Sequence, residues 1–258
     1  MIGRIFVFLA AVVVGFCAVA VAEDTAADYR ELARRVWVNE SDRQPHALVQ
    51  WDQKLGCVVM GVGGCTWFPA GRSGHADEVF PKLLAFGEAQ GVQPPSWLRG
   101  AAPWSSAEDF AAADPALKQQ MHRWLSGHLD LVGRFLVARV HAALPAMMRH
   151  SNDARLVASR FEELASSRWG LFCLVDFMCC MGDGAAPGAQ GAGLLQALEA
   201  MRPAPQAAGS SPAEFAHAAA SVLQKYAQTH PARNAADAAL HARRMKRCRS
   251  YSPGPGAR

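Results

Sequence analysis

The spacing of hydrophobic residues along most of the chain is typical of α-helices. Apolar positions recur at three- and four-residue steps between Asp28 and Glu40, which predicts an amphipathic helix with Glu40 on its apolar stripe, at the C-terminal end. The same spacing predicts further helices at 79–90, 106–112, 115–127, 129–149, 153–167, 170–181, 194–201, 213–228 and 235–247. The segment 170–181 is so apolar that we expect it to be a central, buried helix.

The segment 47–68 breaks this pattern, because its hydrophobic period is closer to two. Its β-forming residues are interrupted by Gly56, Gly61, Gly63 and Gly64, which predicts one small sheet or hairpin. The chain contains no internal repeat and no sharp boundary, so residues 23–258 are predicted to form a single domain. The predicted fold class is mainly α (α+β), a helical domain with one small early β-hairpin or sheet.

Residues 1–22 have the organisation of a secretory signal peptide. Arg4 is followed by an uninterrupted apolar run at 5–21, and small residues end the run at Ala22, before the first acidic residues of the chain. Cleavage after Ala22 would make the protein secreted or periplasmic. The alternative is a membrane-anchored protein that keeps residues 5–21 as a helix, although this run is at the short end for crossing about 30 Å of hydrocarbon.

The composition excludes several classes of protein. With 51% hydrophobic and 19% charged residues, the chain is not disordered, not collagen-like and not a protein with many membrane spans. Removal of Arg4 with the signal leaves 25 of the 26 basic residues against 22 acidic ones. This balance is too even to indicate a partner.

A basic run lies at the end of the last predicted helix and consists of Arg243, Arg244, Lys246, Arg247 and Arg249. Cations at this end of a helix compensate its dipole, which is the preferred interpretation of the run. Docking on an anionic polymer is the alternative. No aromatic residues alternate with the run and no nucleic-acid-binding motif accompanies it, so no nucleic-acid partner is expected.

Six cysteines remain once the signal is removed: Cys57, Cys65, Cys173, Cys179, Cys180 and Cys248. An even number in a chain addressed to an oxidising compartment predicts up to three disulfides. The spacing favours only Cys57 with Cys65, across the predicted hairpin, and leaves the other pairings open. Because no C-x-x-C pair and no histidine at zinc-finger spacing occurs, no metal site is predicted, and the sequence indicates no cofactor.

The end of the first predicted helix is the best candidate for chemistry. A carboxylic acid on the buried side of a helix loses solvation, so its pKa rises and it can donate a proton to a leaving oxygen. The hairpin that follows would form one wall of a cleft, and Gly61 and Gly63 would let a substrate approach the backbone closely. The alternative is that Glu40 is an exposed residue at the end of an ordinary helix.

Three motifs around Glu40 resemble those of a family of secreted bacterial proteins, which in turn is similar to phage-type members of the lysozyme-like superfamily. The family motifs N-E, S-L-G-I-G-H-F and W-Y-P correspond, in this order, to Asn39-Glu40, Met60-Gly61-Val62-Gly63-Gly64 and Trp67-Phe68-Pro69. In the lysozyme-like proteins a glutamate ends the first helix and a G-I-G-H hairpin follows. The resemblance implies a lysozyme-like fold, action on the β-linked amino-sugar chains of peptidoglycan or a related glycan, and Glu40 as the general acid.

The sequence departs from the family pattern where polar groups are expected. Val59 and Gly64 stand in place of the serine and histidine of S-L-G-I-G-H. Glycoside hydrolysis normally needs a second carboxylate, and its candidates are Asp52 and Asp183. The family motif W-N-x-G-E corresponds to residues 51–55, so Asp52 stands where the family has asparagine. The family motif N-F-K-G-E-G corresponds to residues 179–184, so Asp183 stands where the family has glutamate, which places the carboxylate one methylene farther back.

Trp51 and Trp67 are candidates for stacking against sugar rings, although aromatic residues more often fill the core. Together with Gly61 and Gly63 they form the predicted substrate-binding set. Two hypotheses about function follow. The protein is either a muramidase-like glycoside hydrolase, or a catalytically inactive lysozyme-like protein, a pseudoenzyme that binds a glycan or a protein partner outside the cell.

Overall fold

The structure is a computed structural model that describes residues 25–41, 44, 48–75, 77–185, 191–202 and 211–252. The predicted signal peptide at 1–22 and the alternative anchor at 5–21 lie outside these residues. Within the described ranges the chain forms ten α-helices and one three-stranded antiparallel sheet early in the sequence. The predicted fold class, mainly α with one small early sheet, is confirmed.

The helices follow the predicted periodicity closely. They are α1 (Ala26–Glu40), α2 (Phe80–Glu88), α3 (Ala107–Ala112), α4 (Pro115–Gly127), α5 (Leu129–His150), α6 (Ala154–Ala165), α7 (Arg168–Met181), α8 (Leu194–Ala200), α9 (Pro212–Thr229) and α10 (Ala235–Arg249). Local side chains define where several of them begin. Thr25 and Asp28 form a capping box at the start of α1, and Asn234 caps α10.

The sheet has the strand order β1 (Val49–Asp52), β2 (Cys57–Met60) and β3 (Cys65–Trp67). Its register places Trp51, Val58 and Trp67 in one row, and it places Gln50, Val59 and Thr66 in the next. Successive residues of a strand point to opposite faces, so the two rows lie on opposite sides of the sheet. The first row faces the core, because Val58 and Trp67 are fully buried.

Helix α7 is the centre of the core, as its apolar sequence predicts. All residues from 170 to 178 are buried, and the helix packs against α1, α5, α6, α8 and α9. Helix α5 is the one described helix whose length and composition match those of a membrane span. Its buried apolar residues pack into the same core, against α1 and α6.

The predicted disulfide between Cys57 and Cys65 does not form. Cys57 begins β2 opposite Asp52, whereas Cys65 begins β3 opposite Met60. The two cysteines are therefore separated by three positions along the sheet, about 10 Å, which is more than the roughly 7 Å that a disulfide can span between Cα atoms. All six cysteines of the described residues are free thiols.

Candidate functional site

Glu40 lies in a cleft between the sheet and the last helix. The cleft has a volume of about 230 Å³. Its residues are Gln50, Val59, Gly61 and Gly64 on the sheet side, Leu240, Arg243, Arg244 and Arg247 on α10, and Asn39, Glu40, Cys179 and Cys180 between them. The Glu40 side chain is only 11% exposed, so it is not the solvated end of an ordinary helix.

The turn between β2 and β3 brings a backbone donor to Glu40. Gly63 and Gly64 have φ angles of +77° and +57°, a left-handed conformation that favours glycine. The N–H of Gly64 donates to Oε2 of Glu40 at 3.0 Å. From α10, Nη2 of Arg247 lies 3.5 Å from Oε1. Both groups favour the ionised form of the Glu40 carboxyl.

Burial outweighs both of them in setting the acidity of Glu40. Loss of solvation raises its pKa, the Arg247 charge and the Gly64 N–H lower it, and the charge of Asp176 raises it, so that the pKa is about 7. The acid and the carboxylate are therefore both populated near neutral pH. A carboxyl group in this range can donate a proton and later accept one, which is what general acid–base catalysis requires.

A buried ion pair holds Arg247 beside Glu40. Nε and Nη2 of Arg247 donate to Oδ2 and Oδ1 of Asp176 at 2.6 and 2.7 Å. Asp176 is fully buried, and it also accepts from the hydroxyl of Tyr251 at 2.7 Å and from the amide of Asn39 at 3.1 Å. Burial alone would lower the pKa of Arg247, but the charge and hydrogen bonds of Asp176 raise it well above its ordinary value. Arg247 is thus a permanent cation at the cleft.

Asp176 and Arg247 are not among the residues predicted for the site, although the sequence contains a signal for one of them. Asp176 is the one charged residue in the buried segment 170–178, and a buried carboxylate needs a partner. The partner, Arg247, is 71 residues away in the sequence. No local pattern indicates which of the basic residues it is.

Asp52 and Asp183, the two predicted partners of Glu40, are not among the described residues that line its cleft. Asp52 ends β1, and its Oδ1 accepts from the N–H of Leu55 at 2.8 Å in the β1–β2 turn, which lies at the opposite end of β2 from the turn that contacts Glu40. Asp183 follows α7, and its Oδ1 accepts from the N–H of Ala185 at 2.9 Å. Neither lines the cleft, so Glu40 is the single carboxylate among its described lining residues.

The register of the sheet places Trp51 and Trp67 on the face away from the cleft, and the full burial of Trp67 contradicts its predicted sugar-stacking role. Both side chains belong to the row that faces the core, away from Gln50 and Val59. Trp67 is fully buried, packs against Phe80, and donates its indole N–H to the Gly100 carbonyl at 2.7 Å. Trp51 is partly buried, and its ring lies 6.3 Å from that of Phe110.

The two predicted glycines have different roles. Gly61 lines the cleft but is buried, and its N–H donates to the carbonyl of Leu48 at 2.8 Å, so its backbone is not open to a substrate. Gly63 is buried and does not line it; a Cβ there would lie 2.4 Å from Cδ2 of Leu136. The Leu136 side chain would have to move to make room for it, and the φ of +77° favours glycine at this position of the turn. Its neighbour Gly64, which is not in the predicted set, makes the contact with Glu40.

Two cysteines at the end of α7, Cys179 and Cys180, also line the cleft. Burial raises the pKa of both thiols, so they stay protonated at neutral pH and are poor nucleophiles. The described residues contain no group of three or more histidine, cysteine or acidic side chains that could hold a metal ion. The titratable group that the cleft offers near neutral pH is the carboxyl of Glu40.

Comparison with known proteins identifies no relative on which the function could be based. No protein-family model, no curated protein and no solved structure matches this chain. The resemblance to lysozyme-like proteins therefore stays a prediction from the motifs around Glu40.

Proposed function

We propose that the protein is a secreted lysozyme-like glycoside hydrolase that cleaves the β-linked amino-sugar chains of peptidoglycan or a related glycan, with Glu40 as general acid. The observation that carries this proposal is the environment of Glu40, a buried carboxyl with a pKa of about 7 that faces a cleft beside the sheet. In such surroundings a carboxylic acid keeps its proton until a leaving oxygen takes it.

In this mechanism Glu40 acts twice. The protonated carboxyl donates its proton to the glycosidic oxygen as the bond between that oxygen and the anomeric carbon breaks. The N–H of Gly64 and the cation of Arg247 stabilise the carboxylate that remains. Water then attacks the anomeric carbon and gives a proton back to Glu40. Gln50 on the sheet wall supplies a side-chain amide that can hold this water.

A second candidate is a catalytically inactive lysozyme-like protein that binds the same glycan. It is favoured by the position of Asp52 and Asp183 outside the cleft, since glycoside hydrolysis normally uses two carboxylates. The cation of Arg247 also favours this candidate, because it stabilises the ionised form of Glu40, which cannot donate a proton. Such a protein would keep the cleft and bind the strand without cutting it.

Clearing of a turbid suspension of purified peptidoglycan distinguishes the two candidates. The parent protein is compared with Glu40→Gln, which is nearly isosteric but has no acidic proton to transfer, and with Glu31→Gln. Glu31 lies on the same helix and forms exposed ion pairs with Arg34 and Arg35, so it is a matched control.

We expect the parent and Glu31→Gln to clear the suspension at the same rate, and Glu40→Gln to be slower by at least about 100-fold. If neither the parent nor either variant clears the suspension but all three proteins sediment with the polymer, the hypothesis of an inactive binding protein is correct. If the parent neither clears nor sediments with peptidoglycan, both candidates fail.

A further inference from the structure

One face of α10 lines the cleft with three arginines. Arg247 follows Arg243 by four residues and Arg244 by three, so the three side chains share a face of the helix, and all of them line the cleft. Lys246 and Arg249 belong to the same basic run but do not line it. The structure thus divides the run into a part that faces the cleft and a part that faces elsewhere.

The helix dipole does not account for Arg243 and Arg244. The basic residues of the last turn of α10 are Lys246, Arg247 and Arg249, and the effect of the dipole falls off within that turn. Arg243 and Arg244 come before it. Compensation of the dipole therefore applies to the last turn and does not explain Arg243 and Arg244.

Both arginines keep their charge available to a ligand. Within the described part of the chain, Arg243 is exposed and pairs with no carboxylate. The guanidinium of Arg244 lies 5.8 Å from the centre of the Tyr226 ring, a cation–π contact that orients the group without neutralising it. Arg247, in contrast, is held by two carboxylates.

The described residues of the opposite wall, Gln50, Val59 and Gly61, carry no charge. Glu40, the single carboxylate among the described lining residues, is next to Arg247, so it does not offset the charges of Arg243 and Arg244. A sugar strand that lies along the sheet wall would therefore have its substituents next to two guanidinium groups on the other side.

We propose that the cleft selects a glycan strand that carries acidic substituents, carboxylate or phosphate, and that Arg243 and Arg244 bind these substituents. The planar guanidinium group suits both anions, because it can donate two parallel hydrogen bonds to either. The proposal rests on the proposed function for the glycan nature of the ligand. It adds the charge of the substrate and the residues that recognise it.

Binding to chitin derivatives tests the proposal, because these polymers share one β-linked N-acetylglucosamine backbone. Glycol chitin is neutral, carboxymethyl chitin carries carboxylates and phosphorylated chitin carries phosphates. Affinities are measured at low ionic strength for the parent protein, for R243Q/R244Q and for K246Q/R249Q. The last variant removes the same charge from the same helix but leaves the lining of the cleft unchanged.

We expect the parent to bind at least one acidic polymer about tenfold or more tightly than glycol chitin. The acidic polymer that binds more tightly identifies whether the cleft prefers carboxylate or phosphate. For R243Q/R244Q the affinities for the acidic polymer and for glycol chitin are expected to differ by no more than about twofold. K246Q/R249Q is expected to keep the preference of the parent.

A preference that survives in R243Q/R244Q, or equal affinity of the parent for all three polymers, overturns the inference. Either result leaves the cleavage proposal standing, since the clearing assay tests that separately. Binding of polyglutamate as tightly as the acidic chitins would show that charge alone is recognised, and it also overturns the inference. Binding of no polymer at all overturns it together with the proposed action on a glycan.

Discussion

The carboxyl group of Glu40 links the chemistry of the cleft to the stability of the protein. Burial raises its pKa from the ordinary 4.5 to about 7. The folded protein therefore holds this proton more tightly than the unfolded chain does, and the free energy of unfolding falls as the pH rises from 4.5 to about 7. A group suited to acid catalysis at neutral pH is in this way a destabilising feature of the fold.

Glu40→Gln is accordingly expected to increase the free energy of unfolding at pH 8, by up to about 3 kcal/mol, because glutamine fills the site without a buried charge. At pH 4 the carboxyl is mostly protonated in both states, so the parent and the variant are expected to differ by less than about 1 kcal/mol. Urea unfolding at the two pH values measures this, with Glu31→Gln as the control. A Glu40→Gln variant that is less stable than the parent at pH 8 would contradict the described burial of Glu40.

Asp176 has a different role, which is to hold Arg247 in place. Asp176→Asn would leave Arg247 buried, with Glu40 at 3.5 Å as its remaining counter-charge. We expect a loss of about 3–5 kcal/mol in the free energy of unfolding. Glu88→Gln, which breaks the exposed pair with Arg99, is the matched control and should cost at most about 1 kcal/mol. If the two variants lose the same free energy of unfolding, Arg247 is solvated rather than buried.

At the scale of the elements, the crossing of α1 and α5 determines the position of Glu40, the last residue of α1. At this crossing a Cβ on Gly133 would lie 2.1 Å from the carbonyl oxygen of Tyr29, so the two helices can approach this closely only because residue 133 is glycine. The atom in the way belongs to the backbone of α1 and cannot rotate aside. Helix α1 would have to move, and the carboxyl at its C-terminal end would move with it.

Gly133→Ala is therefore expected to lower the free energy of unfolding by about 1–3 kcal/mol or more. Gly127→Ala is the matched control, because Gly127 is also helical and has open space around the position of a Cβ. Alanine is the better helix former, so this variant should be neutral or slightly stabilising. Thermal and urea unfolding of the two variants measure the difference, and similar losses would show that α1 and α5 do not cross at Gly133.

The elements themselves could be predicted, because their signals are local. Helix α4 begins and ends at the predicted residues. At its N-terminus Asp114 caps the helix and Pro115 occupies the first turn. The sheet could also be predicted, but not the direction of its faces. A period of two indicates which residues share a face, and it does not indicate which face is buried. The sequence therefore does not distinguish a cleft position from a core position for Trp67, which lies in the core.

At the scale of the whole molecule, the site combines segments that are far apart in the sequence. Glu40 comes from the first described helix, Gly64 from a turn of the sheet, Asp176 from the central helix and Arg247 from the last helix. The sequence indicates the first of these, because hydrophobic periodicity places Glu40 on a buried stripe. It does not indicate the others as a group, since their proximity results from the packing of α1, α7 and α10 around the sheet. Sequence reasoning could therefore predict the buried position of Glu40 but not the groups around it.

Mass spectrometry of the soluble fragments released from purified peptidoglycan tests whether Glu40 protonates a glycosidic oxygen. We expect the parent protein to release fragments whose sugar chains are cut at glycosidic bonds, at a rate that falls above about pH 7 as Glu40 ionises. Glu40→Gln should release almost none. Release of the same fragments at the same rate by Glu40→Gln, or of no cut sugar chains by the parent, would contradict this role of Glu40.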